Sequence, residues 1–162
     1  MIRLIPASAA DLADPSPALL AGITRHYPTV DEGRAHLAEI LAIMGARPRP
    51  APWADWWALA DDGSIKGLGG FKAPPDANGG VEIGYGTFPM CEGQGVATAI
   101  AAGLIAMARQ HGARTIIAHT LMAENPSTTV LRRNGFAFVG TVIEPEDGEV
   151  WRWQLPLGPA SA

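Results

Sequence analysis

Cysteine is nearly absent from this chain. Cys91 stands alone among 162 residues, so no internal disulfide can form and a cytoplasmic setting is the expectation. No Cys/His array has metal-ligand spacing, and no metal is expected. Charge is also sparse, at 17% of residues with a formal net charge of -4. Without a basic balance or a Lys/Arg run, nothing supports a nucleic-acid partner, whereas an amine-bearing substrate suits the charge. Long apolar runs are missing too. Met1 to Pro6 lacks the apolar core of a secretion signal, and the Ala-dominated window Ala99 to Ala108 is too short to cross a bilayer, so no membrane association is expected. No repeat or low-complexity block divides the chain, 48% of whose residues are hydrophobic, and residues 1–162 are read as a single domain around one core.

What is present reads as alternating helices and strands. Met1 to Leu4 opens as a short strand; Ala7 to Leu12 begins a helical stretch that Pro15 and Pro17 redirect. From Thr29 a second stretch carries Leu37, Ile40, Leu41 and Met44 at spacings of three and four, one apolar face, until Gly45 and the Pro-rich Arg47 to Pro52 end it. Trp56 to Ala60, the turn Asp61-Asp62-Gly63-Ser64 and Ile65 to Phe71 form a hairpin. Val81 to Gly86 then alternates cleanly, with Val81, Ile83 and Tyr85 on one face and Glu82 with two glycines on the other. Val96 to His111, small and apolar on nearly every side, is a helix buried against a sheet. A strand at Thr115 to Thr120, a short helix from Ser127 to Arg133 and strands near Phe136 to Ile143 and Glu149 to Leu155 complete the order, which is that of an α/β sandwich with a mixed sheet.

One stretch points to a ligand. Glu92-Gly93-Gln94-Gly95-Val96-Ala97-Thr98 sets two glycines one residue apart at the start of a helix, straight after the alternating strand. Such a turn aims backbone N–H groups and the positive end of a helix dipole into one small volume, which suits a pyrophosphate. A dinucleotide fingerprint is the competing reading. It fits poorly, because its third small position falls on Thr98 and His119-Thr120 stands where a ribose-binding Asp or Glu belongs.

With Asn125-Pro126-Ser127 and Val130-Leu131-Arg132-Arg133-Asn134-Gly135-Phe136 following in order, the chain resembles the GNAT acetyltransferase superfamily, in particular the branch with bacterial N-terminal acetyltransferases of ribosomal proteins. Glu82-Ile83-Gly84-Tyr85 is similar to that branch's fourth strand, and Phe88 to Ala97 to its Arg/Gln-x-x-Gly-x-Gly/Ala coenzyme loop. The resemblance implies a mixed, mostly antiparallel sheet of about six to seven strands flanked by about four helices. It implies acetyl-CoA as cosubstrate and a primary amine as acceptor, a peptide amino terminus or a small molecule. Gly93, Gln94, Gly95, Val96, Ala97 and Thr98 would cradle the pyrophosphate, Thr87 and Phe88 would flank the pantetheine, Asn125 and Ser127 would lie beside the thioester, and Arg132 would approach the nucleotide. Glu92 and Gln94 depart from the loop's usual Arg or Gln and Lys or Arg, leaving the phosphates to backbone N–H groups and distant arginines. Dimers are common among relatives, so a homodimer stays open.

Acetyl transfer requires a neutral amine, a polarised carbonyl and a proton for the leaving thiolate. Glu82 is the candidate base, the only carboxylate in its strand, with a surface ion pair as its alternative role. Ser127 is a candidate proton relay or, equally, a helix N-cap. The family branch with a tyrosine acid in its last helix is not matched, since the only tyrosines are Tyr27 and Tyr85. His119, at a strand end, is a candidate base or substrate contact against a structural role. His26 and Tyr27 between the first helical stretches, and Trp57, are candidate acceptor-site residues. Cys91 is read as a bystander. A non-catalytic acetyl-CoA sensor with the same fold is the alternative function.

Overall fold

The computed structural model describes residues 1–44 and 49–158. The first part of the expected linker, Gly45 to Pro48, lies outside the described residues, as do the side chains of Ile40, Leu41 and Met44 in the proposed apolar face. The elements run β1 (Ile2–Pro6), α1 (Ala9–Ala13), α2 (Pro17–Thr24), α3 (Val30–Met44), β2 (Asp55–Ala60), β3 (Ile65–Phe71), β4 (Gly80–Thr87), a 3-10 turn (Pro89–Cys91), α4 (Val96–Gln110), β5 (Thr115–Thr120), α5 (Pro126–Arg133), β6 (Ala137–Glu144) and β7 (Gly148–Pro156). Ser8 and Ser16 accept backbone N–H bonds at the starts of α1 and α2, which is how two short helices form around Pro15 and Pro17.

The strands make one seven-stranded sheet in the order β1-β2-β3-β4-β5-β7-β6. Every neighbouring pair is antiparallel except β4 and β5. That mixed, mostly antiparallel sheet rules out the doubly wound parallel architecture of a dinucleotide-binding fold. Two apolar clusters cover its two faces. Val81 and Ile83 of β4 and Ile116 and Ala118 of β5 pack with Ile100 and Leu104 of α4 and Leu131 of α5. On the opposite face Ile65 and Leu68 of β3 meet Ile23 of α2, Leu37 of α3, Phe88 and Cys91. Trp57, expected at the acceptor site, is instead a fully buried core residue in this second cluster. β2 is covered on both faces, so its alternation carried no sign of which way the ring would point.

The parallel pair is short. Its register runs Gly80↔Thr115, Val81↔Ile116, Glu82↔Ile117, and then β4 and β5 diverge. Beyond that point, among the described residues, β4 is paired only with β3 and β5 only with β7. A wedge opens in the middle of the sheet.

Candidate active site

The strand period decides what faces the wedge. Lys72 N–H donates to Glu82 O and Phe88 N–H to Lys66 O, so even-numbered residues of β4 direct their main-chain groups at β3. The odd residues direct theirs at β5. Past Glu82 that leaves main-chain groups of Tyr85 and Thr87 aimed into the gap, without a ladder partner among the described residues. Thr87 adds a buried Oγ1 that has no hydrogen-bond partner. Buried polar groups are ordinarily satisfied, so this edge suits a ligand bearing amides and carbonyls.

At the mouth of the wedge Gly93 and Gly95 have φ of 76° and 77°, in the left-handed region that favours glycine. Gly95 is the N-cap of α4 and supplies no side-chain cap, so the first N–H groups of that helix stay open. Glu92 is exposed. The cation nearest the loop's centre comes from β3: Lys66 Nζ donates to Gln94 Oε1 at 2.7 Å. Sequence reasoning missed it, because nothing local ties position 66 to position 94. Arg132, expected at the nucleotide, is engaged otherwise. Its guanidinium bonds both carboxylate oxygens of Glu124 and stacks 4.9 Å from the centre of the Trp153 ring. Phe88, expected beside the pantetheine, has its ring in the core and its N–H bonded to β3.

Two groups of side chains border the narrow end. On the α4/α5 face, Tyr85 Oη lies 3.1 Å from Ser127 Oγ and donates to Ser127 O at 3.3 Å, bridging β4 to the first turn of α5. Burial holds the phenol above the usual tyrosine pKa, against a smaller pull from Ser127, so it is a neutral proton donor. Ser127 is not the helix cap. Asn125 caps α5, accepting from Thr128 N–H at 3.0 Å while Thr128 Oγ1 takes the Asn125 N–H at 3.1 Å. The signal was Asn-Pro with a hydroxyl three positions on, and it leaves the Ser127 hydroxyl for Tyr85. No tyrosine acid was expected from the last helix, but the structure places a phenol beside the site on a strand.

On the opposite face Glu82 Oε2 lies 2.9 Å from Lys72 Nζ and 3.2 Å from His119 Nδ1. Both contacts fall on the same oxygen, and no contact is recorded for Oε1 among the described residues. The floor around it is open: a Cβ on Gly86 would meet nothing within 4 Å, and one on Gly84 only Lys72 Cε at 3.8 Å. Burial opposes the Lys72 ammonium, but hydrogen bonding and charge from Glu82, with Asp147 and Glu144 adding to it, carry its pKa above the usual lysine value. Ligand atoms of Glu82, His119 and Glu144 lie within 4.8 Å of one another, the spacing of a metal site. Their charge is already matched by Lys72 on Glu82 and by Arg152, whose Nη2 lies 3.5 Å from Glu144.

The remaining acceptor candidates sit apart. Tyr27 Oη is hydrogen-bonded to His36 Nδ1, and its ring lies 6.3 Å from that of Phe88. His26 Nε2 is buried without a partner among the described residues. Through Phe88, Tyr27 sits on the Glu82 face toward the far end of β4, roughly 20 Å along the strand from Glu82. Cys91 is buried nearby, and burial raises its thiol pKa, in keeping with an inert thiol.

The sheet opens at β4 and β5, and a glycine turn starts the following helix. A family model for the acetyltransferase (GNAT) domain matches residues 2–137. The chain belongs to the GNAT acetyltransferase superfamily. No curated protein sequence matches it. Among solved structures, a GNAT phosphinothricin acetyltransferase from Sinorhizobium meliloti in complex with acetyl-CoA aligns at 23% identity, covering 97% of this chain and 89% of that one, with a TM-score of 0.61. YncA from Salmonella typhimurium, described as a putative acetyltransferase with its cofactor acetyl-CoA, aligns at 17% over 100% and 97%, TM-score 0.63. RimL, a ribosomal L7/L12 alpha-N-protein acetyltransferase in complex with coenzyme A, aligns at 17% over 96% and 93%, TM-score 0.65. At such identities the likeness is one of GNAT fold. No helix among the described residues is long and apolar enough to cross a membrane.

Proposed function

We propose that this GNAT chain, acting as a single domain in a cytoplasmic setting, transfers the acetyl group of acetyl-CoA to a primary amine by direct attack on the thioester. The observation that carries the reading is the wedge, where β4 loses its ladder partner after Glu82 and offers main-chain groups and a buried Thr87 hydroxyl. Those groups fit a pantetheine arm. The uncapped turn at Gly93 to Ala97, with Lys66 beside it, fits the pyrophosphate. Acetyl-CoA supplies an activated acyl group on a thiol leaving group.

The chain's own residues divide the proton work. Glu82 Oε1 takes the proton of the incoming amine while Oε2 stays anchored by Lys72 and His119. The Tyr85 main-chain N–H facing the wedge polarises the carbonyl. As the C–N bond forms and the C–S bond breaks, the Tyr85 phenol, paired with Ser127, donates a proton to the sulfur. Glu82 then loses its proton to solvent and the phenolate regains one. This division of labour calls on no metal.

The test follows thiol release from acetyl-CoA against peptide amino termini, polyamines, amino acids and aminoglycosides. Release that requires an acceptor supports the reading. Thermal stabilisation by acetyl-CoA with no release for any acceptor would make the protein a sensor and overturn it.

A further inference from the structure

His119 belongs to a larger arrangement than its contact with Glu82. It is directly opposite Arg152 in the β5–β7 register, so the two side chains share a face of the sheet. Arg152 Nε–H donates to His119 Nε2 at 3.0 Å. The imidazole is 7% exposed. An arginine does not give up its proton, so a ring nitrogen that accepts from it must present a lone pair. In a neutral imidazole the single proton then sits on Nδ1, the nitrogen 3.2 Å from Glu82 Oε2. Nδ1 is buried with no well-aligned partner, so Glu82 Oε2 is the acceptor within reach.

We propose that Arg152 is a positioning residue for acetyl transfer: it locks His119 as the neutral Nδ1–H tautomer, so that an uncharged ring edge stands 3.2 Å from Glu82 Oε2 and leaves Oε1 to the acceptor amine. The proposal rests on Glu82 being the base. Glu144 gives the lock its meaning. Its Oε1 lies 3.2 Å from the same Nε2, ready to hold a proton there. Arginine and carboxylate therefore compete for one nitrogen, and the guanidinium keeps the proton off. Every element around the ring contributes a charge: Lys72 beyond β3, Glu82 on β4, Glu144 on β6, Arg152 on β7 and Asp147 in the hairpin turn, which acts on Lys72. With the guanidinium removed, carboxylates flank both ring nitrogens and the imidazolium form gains. A cationic ring against Oε2 makes Glu82 a weaker base.

The deciding measurement is nitrogen-15 NMR of the imidazole in the unaltered protein, which reads the tautomer without any turnover. A neutral ring with its proton on Nδ1 at neutral pH is expected; a proton on Nε2, or an imidazolium, overturns the proposal. In Arg152→Gln the ring should take up a proton on acidification. The kcat/KM profile should then gain an acidic limb, falling about tenfold per pH unit below the midpoint. An unchanged profile also overturns it. Arg152→Lys should restore most of the unaltered profile, and Glu144→Gln, which leaves the guanidinium in place, should keep it. The tautomer result and the acceptor-dependent thiol release can fail separately, so a wrong positioning role is distinguishable from a wrong function.

Discussion

Replacing Glu82 by glutamine removes one negative charge and almost no volume. Its two consequences separate cleanly. For the reaction, a positioned general base contributes about 10²- to 10⁴-fold, or roughly 3–5 kcal/mol of barrier. For the fold, the loss is the Lys72 pair at 2.9 Å. Lys72 is 57% exposed and Glu82 26%, and exposed pairs are worth on the order of 0.2–1 kcal/mol. The glutamine carbonyl can still accept from Lys72, so the midpoint of thermal unfolding should fall by no more than about 4 °C. The coenzyme loop lies at the other end of β4, so the KM for acetyl-CoA should stay near its original value. The assay is continuous thiol release at saturating acceptor, paired with thermal unfolding on the same samples. Turnover within about threefold of the unaltered protein across the pH range would refute the base assignment, because a general base cannot be lost so cheaply. A large drop in activity with an equally large drop in unfolding temperature would refute the reasoning differently, by making Glu82 structural.

Tyr85→Phe should lower kcat at least tenfold with little change in KM for acetyl-CoA, and cost about 1 kcal/mol of stability through the lost bond to Ser127; normal kcat by thiol release would remove the phenol as the acid. Lys66→Met should raise the KM for acetyl-CoA about tenfold and flatten its dependence on ionic strength, while leaving kcat in place. An unchanged KM and salt profile would return phosphate binding to the backbone alone. Glu124 is held at about 2 by hydrogen bonds from Arg132 and Thr128, well below its usual 4.5. A depressed acid stabilises the fold above its unfolded pKa and loses that contribution as pH falls toward the folded one. Stability should therefore decline between about pH 4.5 and 2, less steeply in Glu124→Gln, as read by denaturant titration at several pH values.

Strands and helices with a strong period were legible from the residues alone. β3 and β5 fall on their expected spans, and the two-faced pattern of β4 placed Glu82 opposite Val81, Ile83 and Tyr85 correctly. What could not be read was partnership across strands. Glu82 meets His119 because β4 and β5 pair at Glu82↔Ile117 before parting, and Arg152 meets His119 because β7 returns beside β5. Neither register is written in any local window. Tyr85 was visible only as a member of the Val81 and Ile83 face, since its aromatic body obeys the apolar alternation while its hydroxyl reaches Ser127. The burial of Trp57 was not legible, because its strand has no dry-to-wet contrast.

β7 is the last strand in chain order among the described residues, yet it lies inside the sheet, between β5 and β6. It carries Arg152, the partner of His119, and Trp153, whose indole N–H donates to Thr120 Oγ1 at 2.9 Å. During synthesis every other part of the wedge can assemble while β5 still shows a bare edge and His119 keeps both tautomers. If Arg152 positions His119 as proposed, that order arrives only with β7. A chain cut short before Val150 would hold the family's signature loop and its carboxylate, and would be an unfinished sheet seeking a strand from a neighbour.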